Sequence, residues 1–133
     1  MSATTKGTFD VKTTPQPAAD FDDSGIARLL LDKQFRGDLD TVSKGQMLAA
    51  ATATKGSAGY VAIEKITGTL SGRKGSFVLQ HIGTMNKGVP TLNVSVVPDF
   101  GTDQLTGLSG TMNSIIANGA HFYEFKYSLP GAP

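Results

Sequence analysis

Cysteine is absent from this 133-residue chain, which excludes disulfides, thiolate nucleophiles and cysteine-ligated zinc. Tryptophan is absent as well, and histidine occurs only as His81 and His121. The uninterrupted apolar runs span a few residues each, far short of the roughly 20 that a membrane helix needs. The N-terminus, MSATTKGTFDV, has no apolar core of signal-peptide length. Charge of either sign is sparse. Twelve Lys and Arg against eleven Asp and Glu leave a net charge of +1, so neither nucleic acid nor an anionic membrane is an expected partner. No Gly-X-Ser-X-Gly elbow and no phosphate-binding loop occurs, so serine-hydrolase and nucleotide-dependent chemistries lack their motifs. A cysteine-free chain fits a reducing compartment, and the expectation is a soluble cytoplasmic protein.

What is present is glycine, sixteen residues of it, and alternation of apolar with polar residues. Residues 7–13 (GTFDVKT) put Phe9 and Val11 on one face and Asp10 and Lys12 on the other, and Pro15 and Pro17 follow as breakers. Residues 25–36 form a long apolar-rich run that turns at Gly37-Asp38. Residues 46–54 are ambiguous, since their alanines favour helix, while Thr52 and Thr54 favour the strand expected here. Further strands are expected at 60–70, 75–83, 89–98, 105–117 and 121–129. About eight strands and no helix of useful length imply an all-β fold. An eight-stranded antiparallel closed barrel would remove the edges that long apolar strands expose; a two-sheet sandwich is the competitor. The whole chain, 1–133, reads as one domain, with 1–5 and 130–133 expected to fray.

The chemical lead is the hairpin of residues 60–83. If Gly72-Arg73 is its two-residue loop, Ile66 faces Leu79 and Glu64 faces His81. Tyr60, Ala62, Ile66, Phe77 and Leu79 share that face, so the pair sits among apolar neighbours. A carboxylate fixes an imidazole's tautomer and raises its basicity, giving a candidate catalytic acid/base pair of Glu64 and His81. A structural cross-strand contact fits the same spacing, and a loop one residue longer would put the two on opposite faces. On the last strand His121, Tyr123 and Tyr127 share a face, where they supply donors to a ligand or simply fill the interior. Glu64, His81 and His121 have the residue types of a two-histidine, one-carboxylate metal triad, but no spacing supports it and no metal is expected.

GTFDV near the start, GDL at 37–39, GYVAIEKITGTLSGRKGSFVLQHIGTM at 59–85, VVP at 96–98, GLSG at 107–110 and HFYEFKYSL at 121–129 together resemble a family of small bacterial proteins of unknown function. That resemblance spans nearly the whole chain. It implies an eight-stranded barrel like that of plant allene oxide cyclase, often described as lipocalin-like. It also implies that Glu64, His81 and His121 are characteristic positions. The segment after VVP, residues 99–103, departs from the serine- and glycine-rich turn that the resemblance leads one to expect.

These readings leave two function classes. One is a barrel that binds a small apolar or amphipathic molecule through Tyr60, Glu64, Phe77, His81, His121, Tyr123 and Tyr127. The other is a cofactor-free isomerase or cyclase that uses the Glu64–His81 pair. Strands apolar on both faces, as at Val96-Val97 and residues 29–31, add the expectation of a homo-oligomer, a dimer or trimer.

Overall fold

The computed structural model describes residues 2–17 and 25–130. Eight strands run in chain order: β1 Ser2–Pro15, β2 Ile26–Gly37, β3 Leu39–Ala51, β4 Ala58–Leu70, β5 Arg73–Asn86, β6 Val89–Val96, β7 Ser109–Ala117 and β8 Ala120–Ser128. Each pairs antiparallel with its neighbours in sequence, and β8 returns to β1, so the sheet is a closed barrel. Residues 2–5, expected to fray, pair instead with residues 125–128 of β8. Among the described residues no helix is long and apolar enough to cross a membrane.

Alternation fixes which side chains enter the barrel. Phe9, Phe35, Ile66, Phe77, Leu79, Val94, Met112, Tyr123 and Phe125 are buried inside. Phe77 stacks on Phe125 at 5.8 Å between ring centres, and Phe125 on Tyr127 at 5.3 Å. Burying each such ring is worth about 1.5–3 kcal/mol, so this aromatic column is a main source of stability. One end of the barrel is closed. There Leu39, Leu70, Leu105, Leu108 and Leu129 are buried, and Ser71 N–H donates to the Asp38 carbonyl at 2.7 Å. The 3-10 turn Asp103–Leu105 drives Leu105 into that end. Gln104 Oε1 accepts from the Lys74 amide and Thr102 Oγ1 from the Ser76 amide. Residues 105–108, expected as strand, are therefore a plug; they are apolar because they cap the barrel.

The opposite end differs. Inward positions there, Val11, Leu29, Met47, Ala49, Tyr60 and His121, are only half-buried. Among the described residues, these half-buried positions mark that end as the mouth of the barrel.

Register corrects one expectation. The β4–β5 loop is Ser71-Gly72, so Leu70 pairs with Arg73 and Glu64 with Leu79, while His81 pairs with Ala62. Both loop residues have positive φ, 48° and 81°, as a type I′ turn requires. Gly72 adopts the second position without strain, whereas a loop of Gly72-Arg73 would have forced an arginine there. The slip is two residues. Faces keep their parity under such a slip, so Glu64 and His81 share the interior as diagonal neighbours.

Candidate functional site

Below the mouth lies a buried charge cluster built from three strands. On β2 the inward residues are Leu29, Leu31, Lys33 and Phe35, so alternation alone sends the Lys33 stem into the barrel. Its Nζ stands 2.8 Å from Glu64 Oε2. It also lies 5.2 Å and 5.7 Å from the ring centres of Phe9 and Phe35, within reach of cation–π attraction. From β5, His81 Nε2 comes 3.1 Å from the same Glu64 oxygen.

Glu64 and Lys33 meet across β3 because β3 has no side chain between them. Gly45 pairs with Glu64 on one side and Leu31 on the other. A Cβ at Gly45 would lie 2.6 Å from Glu64 Cβ and 2.4 Å from the Ile63 carbonyl. Glycine thus opens the gap through which carboxylate and ammonium touch.

The Glu64 side chain is 0% exposed, while those of Lys33 and His81 keep 10% and 9%. Burial pushes the Glu64 pKa up, but the His81 imidazole and the Lys33 ammonium outweigh it, and the net shift is below the ordinary 4.5. Glu64 is therefore an anion at neutral pH. Neither contact is aligned as a hydrogen bond, and Glu64 Oε1 and Ser43 Oγ have no hydrogen-bond partner among the described residues. Buried polar atoms are nearly always satisfied, so this cluster has capacity to spare. The Tyr60 hydroxyl is raised, first by burial and then by the charge of Glu64.

The other expected site residues divide. Tyr60 stands at the mouth, its ring over Gly83, where a Cβ would come within 2.3 Å of Cε1. His121 is also at the mouth and packs 5.1 Å from the Phe9 ring, so Phe9 lies between it and Lys33. Phe77, Tyr123 and Tyr127 are not brought to the cluster. Phe77 belongs to the aromatic column. Tyr123 donates to the Arg36 carbonyl at 2.9 Å and accepts from the Leu39 amide at 3.2 Å, which fixes the β2–β3 corner. Tyr127 pairs its hydroxyl with Ser71 at 3.1 Å at the closed end. Among the described residues no three His, Asp or Glu side chains gather as a metal site would require.

Sequence reasoning missed Lys33 and Gly45. The signal for Lys33 was available. It shares odd parity with Leu29, Leu31 and Phe35, whereas Arg28, Asp32 and Arg36 are even. It is the one charge on the apolar face of that strand.

A groove of about 490 Å³ crosses the outer wall of β2–β5, with Arg28, Gln46, Leu48, Val61, Ile63 and Ile82 among its lining. Leu48, Val61, Ile63 and Ile82 are each about half exposed.

Residues 5–127 match the family model described as "Protein of unknown function (DUF3224)". Among solved structures, the chain is similar to a protein of unknown function from that family from Shewanella oneidensis MR-1. Identity is 51%, the TM-score is 0.92, and the match covers 99% of this chain and 100% of the other. Among curated proteins none matches. With a family model spanning most of its length and a half-identical relative covered end to end, the chain belongs to the DUF3224 family of proteins of unknown function.

Proposed function

We propose that the protein binds a small, mostly apolar molecule in the mouth of its barrel, with Lys33 and His81 as polar contacts and Glu64 behind them. Tyr60 and His121 flank that position. One observation carries this reading. Among the described residues, a buried Lys–Glu–His cluster with unpartnered polar atoms stands toward the end of the barrel whose inward side chains are half-exposed. Ligand sites combine an apolar wall with a few convergent polar groups, and the mouth supplies the wall through Val11, Leu29, Leu31, Met47, Ala49 and Ala62. The likeness to allene-oxide-cyclase and lipocalin-type barrels, which confine apolar molecules in a lumen, points the same way by fold analogy alone. We place this activity in the cytoplasm on the absence of cysteine.

The alternative is a cofactor-free isomerase or cyclase. The pKa of Glu64 disfavours that residue as the base, because a carboxylate held below its ordinary value is a weaker proton acceptor. Its anionic state likewise disqualifies it as an acid at neutral pH. In an enzyme His81 would carry the proton, with Glu64 orienting it at 3.1 Å.

Native mass spectrometry of freshly purified protein tests the binding reading. A stoichiometric small-molecule adduct that weakens in His81→Ala is expected. An adduct unaffected by substitutions at both His81 and Lys33 would place the ligand elsewhere.

A further inference from the structure

The groups facing the mouth carry an asymmetry of charge. β2 contributes Lys33, β4 contributes Glu64 and Tyr60, β5 contributes His81 and β8 contributes His121. The inward residues around them on β1, β3, β6 and β7 include Phe9, Val11, Gly45, Met47, Ala49, Val94 and Met112, none of which titrates. Among the described residues that face the mouth, the one anion, Glu64, is fully buried behind the others. The side chains that retain exposure are an ammonium, two imidazoles and a phenol. A ligand entering from solvent therefore meets hydrogen-bond donors and potential cations.

We propose that the mouth takes an apolar carboxylic acid, its carboxylate held between Lys33 Nζ and His81, and that its uptake is coupled to protonation of His81. This rests on the reading of the mouth as a small-molecule site. The argument is one of charge balance. Lys33 and Glu64 cancel at 2.8 Å. A carboxylate adds one negative charge in apolar surroundings, where an unmatched charge is costly. Imidazole is the group whose ordinary pKa, about 6.5, lets it supply the missing positive charge near neutrality. His81 is placed to do so. Its Nε2 faces Glu64 at 3.1 Å, so protonation puts the second N–H on Nδ1, the ring nitrogen left for the ligand. His121 is screened from Lys33 by the Phe9 ring and is the lesser candidate. No covalent step is involved; one proton moves from solvent to His81 as the anion docks.

Calorimetric titration of the full chain with octanoate and octanamide, and with phenylacetate and phenylacetamide, tests this between about pH 5 and about pH 8, the span over which imidazole changes charge. Each acid should bind at least about tenfold more tightly than its amide at the acidic end. Its affinity should fall by up to about tenfold per pH unit as the pH rises through the imidazole range, and the heat should vary with the ionisation enthalpy of the buffer. His81→Gln should flatten the pH dependence, and Lys33→Met should erase the preference for acid. Should either variant fail to fold, the wild-type His81 ring resonances serve instead, and their titration midpoint should rise when octanoate saturates the site. Amides binding as tightly as acids, or acid affinity independent of pH, would overturn the proposal and leave the mouth as a site for neutral ligands. Absence of binding by either class would overturn both.

Discussion

Lys33→Met removes one charge from the buried cluster while keeping the length of the side chain. Glu64, with no exposure of its own, would then face the interior as an anion with only His81 beside it. Breaking a buried pair by deleting one partner costs about 3–5 kcal/mol. His81 still faces the carboxylate at 3.1 Å, so the lower end, about 3 kcal/mol, is expected. For a domain of this length each kcal/mol corresponds to roughly 4 °C, giving a fall in Tm of about 12 °C. Glu64→Gln should cost less, about 1–3 kcal/mol, because Lys33 retains some exposure and a long stem that can turn toward solvent. The double variant should be more stable than the two losses summed, since it leaves no unmatched charge. The pH profile carries a second signature. The pKa of Glu64 is depressed in the fold, so its contribution to stability is complete above the ordinary 4.5 and is lost as pH falls through the folded value. Lys33→Met removes part of that depression, so its deficit against wild type should be constant above about pH 5 and close in acid. Urea unfolding across pH measures all of this. A Lys33→Met variant within about 0.5 kcal/mol of wild type, or strictly additive losses in the double variant, would refute the claim that these charges are coupled.

Gly45→Ala should destabilise and displace Glu64, because the new methyl lies 2.6 Å from Glu64 Cβ; thermal unfolding and the NMR signals of His81 report both effects. Tyr123→Phe should lower stability by about 1 kcal/mol through loss of its two backbone hydrogen bonds and leave ligand affinity unchanged; a matching loss of affinity would move Tyr123 into the site. The outer groove around Leu48, Val61, Ile63 and Ile82 leaves apolar surface that a second copy of the chain is expected to cover. Light scattering should return a dimer or trimer for wild type and a monomer for Ile63→Lys, and a wild-type mass of 13.9 kDa would count against it.

The eight strands were legible because most carry apolar residues at every second position, the inward one. Where that signal failed, the reason is local. The first half of β3 presents Leu39, Thr41, Ser43 and Gly45 to the interior, and three small residues give no hydrophobic alternation, so this part of the strand went unread. Leu105 and Leu108 misled in the opposite sense. They are apolar for capping the barrel and were read as strand. The Glu64–His81 pairing was placed two residues out of register because the loop's positive-φ positions fall on Ser71 and Gly72. The shared face survived because the error was even. Lys33 escapes notice when residues 25–36 are taken as one apolar-rich run, because its parity shows only when the two faces of the strand are separated.

The most direct test of the account is a methyl-resolved NMR titration with octanoate. Adjacent residues of β3 and β4 point to opposite sides of the wall: Met47 and Ala62 face the mouth, while Leu48, Val61 and Ile63 face the outer groove. The account predicts saturable shifts at the methyls of Met47, Leu31 and Val11, with the outward methyls unmoved. Shifts confined to Leu48, Val61, Ile63 and Ile82 would contradict it, because the ligand would then sit on the barrel's outside and the buried Lys33–Glu64–His81 cluster would be structural.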